Sequence, residues 1–243
     1  MSDPLAPLRT ALDRAAQTGS PLAFWWRDDD ACHPGPRLDA LFAMANHHGA
    51  PLALAVIPDQ VSDAVLARCE RDGVAVLQHG LSHTNHQTTG KAAELGNARP
   101  LDAVLADCAK GRERLAASPA FLPVMVPPWN RMRADLATPL AKAGYSGVSL
   151  FAGPQHTGPL RRVDTHIDPI AWRTDRDCLN DAALADAMQS ALALPNPGAL
   201  GLLTHHAVHT DRVWAFVDAF AGLIASHPGA VWAGAGDLFK GPS

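Results

Sequence analysis

The stretch "PLALAVIPDQVSDAVLARCERDGVAVLQHG", residues 51–80, decides the fold. Two short apolar runs, "LALAVIP" and "VAVLQHG", flank a polar segment with helical period. Ser62 stands before that segment as a candidate N-cap, and Gly73 follows it as a stop. Neither run alternates apolar with polar, so both strands are expected to be covered on both faces. Strands of that kind, separated by a helix, pair in parallel.

The same unit recurs on both sides. Upstream, "LAFWWR" (22–27) precedes "PRLDALFAMANHHG", in which Leu38, Leu41, Phe42 and Ala45 form one apolar face. Downstream come a long helical stretch from about Pro100 to Ser118, then "PVMVPP" with "RADLATPLAKAGY", then "GVSLF". The series continues with "VDTHIDPI" and a helix near Asp181 to Leu194, then "ALGLLTHH" with "DRVWAFVDAFAGLIASH", and ends in "AVWAG". Seven or eight βα units predict an α/β protein with a (β/α) barrel. The alternative is an open doubly wound sheet, but no G-x-G-x-x-G follows the first strand, so a dinucleotide site has no support. No low-complexity linker divides the chain, and residues 1–243 read as one domain with a helical N-terminal extension over 1–20.

Composition narrows the partners. A net charge of −4 and the lack of any Lys/Arg run give no footprint for a nucleic-acid backbone. Cys32, Cys69, Cys108 and Cys178 show no C-x-x-C spacing, which leaves neither a zinc ribbon nor a disulfide framework and points to reduced thiols. The N-terminus has no basic start followed by an apolar core, and no window reaches the roughly 18 apolar residues of a membrane span. The expectation is a soluble cytoplasmic protein that takes a small-molecule or oligosaccharide substrate, without nucleic-acid or membrane partners.

In a barrel, side chains at the C-terminal ends of the strands converge on one mouth. The unusual polar residues of this sequence fall at such ends: "RDDD" (27–30), "HGLSH" (79–83), "PPWNR" (127–131), Asp168 and "THH" (204–206). Two imidazoles and a carboxylate make a divalent-metal set with a position left for water. His79 and His83 supply the imidazoles, and one aspartate of "RDDD" completes the set. A second carboxylate there can act as base toward the attacking water, and a histidine suits protonation of a leaving amine. His205, oriented by Asp168, is the candidate acid; adjacent His206 is its rival, because neighbouring strand residues point oppositely. His86 reads as a supporting residue rather than a third imidazole ligand. Trp25, Trp26 and Trp214 read as packing residues, and His47 and His48 as cations at a helix C-terminus.

These motifs, taken together and in order, resemble the polysaccharide deacetylases of the NodB-homology type, carbohydrate esterase family 4. "WRDDD" resembles the family's T-F-D-D-G, which implies Asp28 as base and Asp29 as metal ligand. The interval of 50 residues from Asp29 to His79 favours that register over Asp29/Asp30. "HGLSH" resembles H-[ST]-x-x-H and implies His79 and His83 as ligands. "VPPWNR" resembles R-P-P-Y and implies Pro128 and Trp129 at the substrate groove. "DPIAW" matches Asp168 and Trp172, and "LLTHH" places the acid on His205. The resemblance spans about 24–210. It implies a distorted barrel, one divalent ion (zinc, with cobalt, manganese and nickel as alternatives) and hydrolysis of an N-acetyl group on an amino sugar. Other members of the wider superfamily cleave small or cyclic amides, and a catalytically silent carbohydrate-binding barrel is a further alternative. Three departures stand out: Val126 takes the place of the family arginine, for which Arg131 or Arg27 is the replacement; Asp30 takes that of a glycine; and no export signal is evident, which points to a smaller intracellular amide or N-acetylated sugar.

Overall fold

The computed structural model describes residues 3–153, 158–195 and 198–240. In chain order its elements are α1 (Ala6–Thr18), β1 (Leu22–Ala31), α2 (Pro36–His47), β2 (Leu52–Val56), α3 (Asp63–Asp72), β3 (Ala75–His79) and α4 (Leu101–Leu115). They continue with β4 (Phe121–Val126), α5 (Ala137–Lys142), β5 (Gly147–Val148), β6 (Arg161–Arg162), α6 (Asp181–Leu192), β7 (Ala199–Thr204), α7 (Asp211–Ser226), β8 (Ala230–Trp232) and α8 (Ala235–Phe239). The βα alternation expected from the sequence is present. No helix among the described residues is long and apolar enough to cross a membrane.

The chain forms two compact units, each built from separate segments. The first contains Met1–Asp28, Pro36–Leu52 and Thr165–Gly234; the second contains Asp29–Gly35, Ala53–Asp164 and Ala235–Ser243.

In the first unit β1 lies between β7 and β8, parallel to both. Asp28 lies opposite Thr204 in the β1/β7 register. Helix α7 buries Val213, Phe216, Val217, Phe220, Leu223 and Ile224 along one face, and Phe220 meets Phe24 edge-on at 6.0 Å. Each such fully buried apolar side chain contributes ~1.5–3 kcal/mol. Thr210 caps α7 by accepting from the Val213 N–H, and Asn180 caps α6 by accepting from the Ala183 N–H. Gly229 passes so close to α1 that a Cβ there would lie 2.0 Å from the Leu12 carbonyl oxygen, which explains the glycine.

In the second unit β2, β3, β4, β5 and β6 pair successively, all in parallel. All five residues of β2 are buried, as its unbroken apolar run implies. Val104, Cys108 and Leu115 of α4 pack with Met125, Leu136, Leu140, Tyr145, Val148 and Leu160. Buried Gln78 is fully used: its amide donates to the Gly80 and Cys108 carbonyls, and its oxygen accepts from the Tyr145 hydroxyl at 2.7 Å. That amide therefore fixes the turn that leaves β3.

Some expectations were not met. Ser62 occupies the N-cap of α3, but its side chain makes no capping bond. "GVSLF" forms only the two residues of β5. "VDTHIDPI" is not a regular strand: Ile167 bridges Leu202 and Ile170 bridges Cys178 as isolated pairs. Pro169 removes a ladder donor within that run, and the carboxylate of Asp168 takes the Ile170 N–H at 3.0 Å.

Candidate active site

Strand β3 delivers His79 at its last residue, only 2% exposed. Its Nδ1 lies 2.9 Å from the Val126 carbonyl oxygen. A carbonyl can only accept, so Nδ1 carries a proton, and in the neutral imidazole Nε2 presents the lone pair. Gly80 follows with φ 60°, turning the chain out of the strand. The N–H groups of Leu81, Ser82 and His83 then converge on the carboxylate of Glu94 at 3.1, 2.9 and 3.1 Å. Sequence reasoning missed Glu94; it lies in a polar loop with no periodic pattern, and only the glycine after β3 hinted at an unusual turn.

Asp30, at the end of β1, brings Oδ1 to 3.2 Å from His79 Nε2 and 3.4 Å from His83 Nε2. One donor atom from each of the three lies within 4.8 Å of the others, and among the described residues this is the one such group of His, Cys, Asp or Glu. Burial, and secondarily His79, pushes the His83 imidazole below its usual pKa, outweighing Asp30 and Glu94, which favours the neutral form a ligand needs. The donor set, two imidazole nitrogens and one carboxylate oxygen with His79 already oriented by a carbonyl, fits zinc or a similar divalent ion. His86 is outside it: its Nε2 lies 3.1 Å from the Arg99 guanidinium.

The backbone here is held in an uncommon conformation. Asp30, His83, Trp129 and Asn130 have φ of 68°, 55°, 55° and 55°. Left-handed residues other than glycine cost on the order of 1–3 kcal/mol each and persist where the surroundings over-determine them. The Trp129 ring stands 4.3 Å from that of His83, so the expected groove residue packs on an expected ligand.

The aspartate register is shifted by one residue from the expectation. Asp30, rather than Asp29, groups with the two histidines. Asp28, expected as the base, is wholly buried. Its Oδ2 accepts from the Thr204 hydroxyl at 2.6 Å and the His206 N–H at 2.9 Å, and its Oδ1 lies 2.5 Å from His206 Nδ1. Trp26 Nε1 donates to Thr204 in turn at 2.8 Å. Burial alone would raise the Asp28 pKa, but the His206 charge and hydrogen bonds hold it below the usual value. Alternation puts Trp26 and Asp28 on this network and Asp29 on the other face, and the left-handed backbone of Asp30 takes its carboxylate off that alternation to the histidines. Three of the Asp28 carboxylate's roughly four acceptor positions are thus taken, and it is wholly buried, which leaves it poorly placed to act on a substrate.

Two further expected site residues are Arg131 and Pro128. Arg131 donates to the Ala92 carbonyl at 2.9 Å, and among the described residues it forms no ion pair with a carboxylate. Pro128 is buried and packs against the turn at Gly80, where a Cβ would lie 2.7 Å from its Cγ.

At the end of β7, His205 meets Trp172 edge-on, with ring centroids 4.7 Å apart. Trp172 Nε1 donates to Asp168 Oδ2 at 2.7 Å. Asp168 therefore reaches His205 through the indole and not by a direct bond; among the described residues His205 Nδ1 is buried with no hydrogen-bond partner. Trp172 is 40% exposed. The His205 N–H donates to Nε2 of buried His209 at 3.3 Å. Burial pushes the His209 pKa down to about 4, with Asp28 opposing and His205, His206 and Arg37 reinforcing. His206 is the Asp28 partner described above.

No family model and no curated protein matches the chain. Solved structures do. A family 4 carbohydrate esterase from Streptomyces lividans, in complex with acetate, is 14% identical and superposes with a TM-score of 0.57, covering 87% of this chain and 91% of that one. Peptidoglycan deacetylase PdaC from Bacillus subtilis is 14% identical, with a TM-score of 0.58 and coverage of 90% and 89%. A mutant CE4 family pseudoenzyme with restored enzymatic activity is 14% identical, with a TM-score of 0.59 and coverage of 90% and 67%. The chain thus has the fold of the family 4 carbohydrate esterases, the distorted (β/α) barrel of the NodB type.

Proposed function

We propose that the protein is a metal-dependent hydrolase of the deacetylase type that cleaves an amide C–N bond, with the N-acetyl group of an amino sugar as its substrate class. The observation that carries this reading is the Asp30, His79 and His83 donor set. Those three residues would hold the ion, with zinc first among the candidates. When bound, it supplies a Lewis acid that polarises a carbonyl and acidifies water.

The chain's own groups take the remaining roles. Asp29, next to the ligand Asp30 and 1% exposed, is assigned the base that accepts the proton of the attacking water. Arg27, wholly buried, shares the Asp29 face of β1 by alternation, which makes it the candidate to replace the family arginine. His205 is assigned the acid that protonates the leaving nitrogen, held by the Asp168–Trp172 pair. Trp129 and Trp172 offer flat apolar faces to a sugar ring.

Metal analysis of the purified protein, with acetate release measured on acetylated glucosamine oligomers and ring opening on cyclic amides, tests the reading. About one zinc per chain and turnover on one of these substrates are expected. Asp29→Asn should keep the metal and reduce kcat by about 100-fold or more. A fully metal-loaded protein inert on both substrate groups would favour a silent carbohydrate-binding barrel instead.

A further inference from the structure

We infer that Glu94 is a positioning residue of the metal centre, setting the His83 imidazole through the main chain. The inference rests on the reading of Asp30, His79 and His83 as metal ligands. The Glu94 carboxylate is 1% exposed, yet the described residues around it place no cation on it. Instead Oε1 accepts from the Leu81 and Ser82 N–H groups and, at 3.3 Å, from the Ser82 hydroxyl, while Oε2 accepts from the His83 N–H. Three successive main-chain donors converging on one anion form a nest, and such a nest fixes the conformation of the residues that make it. The third of these residues is His83, whose left-handed φ of 55° turns the chain at the point where the imidazole must face Asp30.

A second observation shows that the contact is built in. A Cβ on Gly80 would lie 2.1 Å from Glu94 Oε2, so the residue after the ligand His79 lacks a side chain where the carboxylate must enter. The loop that carries Glu94 is itself tied back: the Asn85 side-chain oxygen accepts from Ala93 N–H at 3.1 Å, and the His86 N–H donates to the Ala93 carbonyl at 3.2 Å. Both ends of the 80–94 loop are thereby fixed relative to one another, and ligand geometry follows from a side chain that touches neither ion nor substrate.

The test is zinc affinity, measured by competition with a chromophoric chelator, for the wild type, Glu94→Gln, His83→Ala and the double variant. Glu94→Gln keeps the size but turns an amide NH₂ toward the main-chain donors; a loss of ~10–100-fold in affinity is expected, the range typical of groups that orient ligands. The double variant should bind no more weakly than His83→Ala, because Glu94 acts through that histidine. Cobalt substitution adds a spectroscopic readout: the visible band of Glu94→Gln should shift toward that of His83→Ala. Should Glu94→Gln fail to fold, Glu94→Asp retains the charge and withdraws the carboxylate by one methylene, and the same loss is expected. Unchanged affinity in a folded Glu94 variant with lowered melting temperature would make the role purely structural and overturn the inference. A wild type that binds no zinc would overturn the metal reading and this inference together.

Discussion

Three successive aspartates carry three different fates at one strand end. Asp28 is held by Thr204 and His206, Asp29 faces the other way, and Asp30 turns left-handed to meet the histidines. Breaking a buried ion pair leaves an uncompensated charge and costs about 3–5 kcal/mol. Asp28→Asn should therefore lower the melting temperature sharply while zinc content, measured on the folded fraction, stays at the wild-type level. Asp30→Asn should do the opposite, losing zinc with a much smaller change in stability. The sequence showed that the triplet mattered but could not tell which carboxylate faced which way, because a strand buried on both faces has no polar side to anchor the alternation. Spacing alone favoured Asp29, whereas Asp30 is the residue grouped with the histidines.

His209 supplies a pH dependence at the same scale. Its pKa of about 4 lies below the ordinary value of 6.5, so the unfolded chain binds more protons than the folded one between those values. Stability is therefore fully present above about pH 6.5 and falls as the pH drops toward 4, by at most about 3 kcal/mol. His209→Asn keeps an acceptor for the His205 N–H but does not titrate. Chemical denaturation across that window should show a shallower slope in this variant, and an unchanged slope would place the titration elsewhere.

Among the elements, those with strong period were legible and those set by side-chain-to-main-chain bonds were not. Helix α7, with its apolar face, was readable to within a residue or so, as were β2 and α3. The 163–170 run looked like a strand, but Pro169 and the Asp168 carboxylate divert its hydrogen bonds. The loop between β3 and α4 offered no period, since Glu94, Asn85 and Arg99 organise it. Two substitutions probe the element scale. Asn180→Ala removes the α6 cap bond and should cost ~1 kcal/mol in a denaturation experiment. Gly229→Ala presses a methyl group onto the Leu12 carbonyl of α1 and should cost ~1–3 kcal/mol, with the backbone of α1 as the part that must shift.

For the whole molecule, the alternation of apolar runs and helical segments was enough to give the fold class, and the structural likeness at 10–15% identity confirms it where no family model does. The two compact units leave no mark in the composition. Each compact unit is assembled from several separate segments, and a break in composition marks a boundary only when a domain is one continuous piece of chain. Strand β1 belongs to both: Leu22–Asp28 lies in the first unit and Asp29–Ala31 in the second. Chain cleavage between Asp28 and Asp29 should therefore disable the fold, whereas a cut in a polar surface loop should be tolerated; limited proteolysis with intact-mass readout checks the second half of that statement.

Under the proposed metal reading, the left-handed turns at Asp30 and His83 bear on which ions the site would accept. Donors borne on backbone that is locked by its surroundings cannot spread apart to suit a larger visitor, and two of the three donors are nitrogen. Calcium, which seeks six to eight oxygens at about 2.3–2.6 Å, and magnesium, which insists on an octahedron of oxygens, find neither the number nor the kind of atoms they require. On the proposed metal reading, millimolar calcium or magnesium should leave bound zinc in place, and displacement by either ion would show that the turns yield.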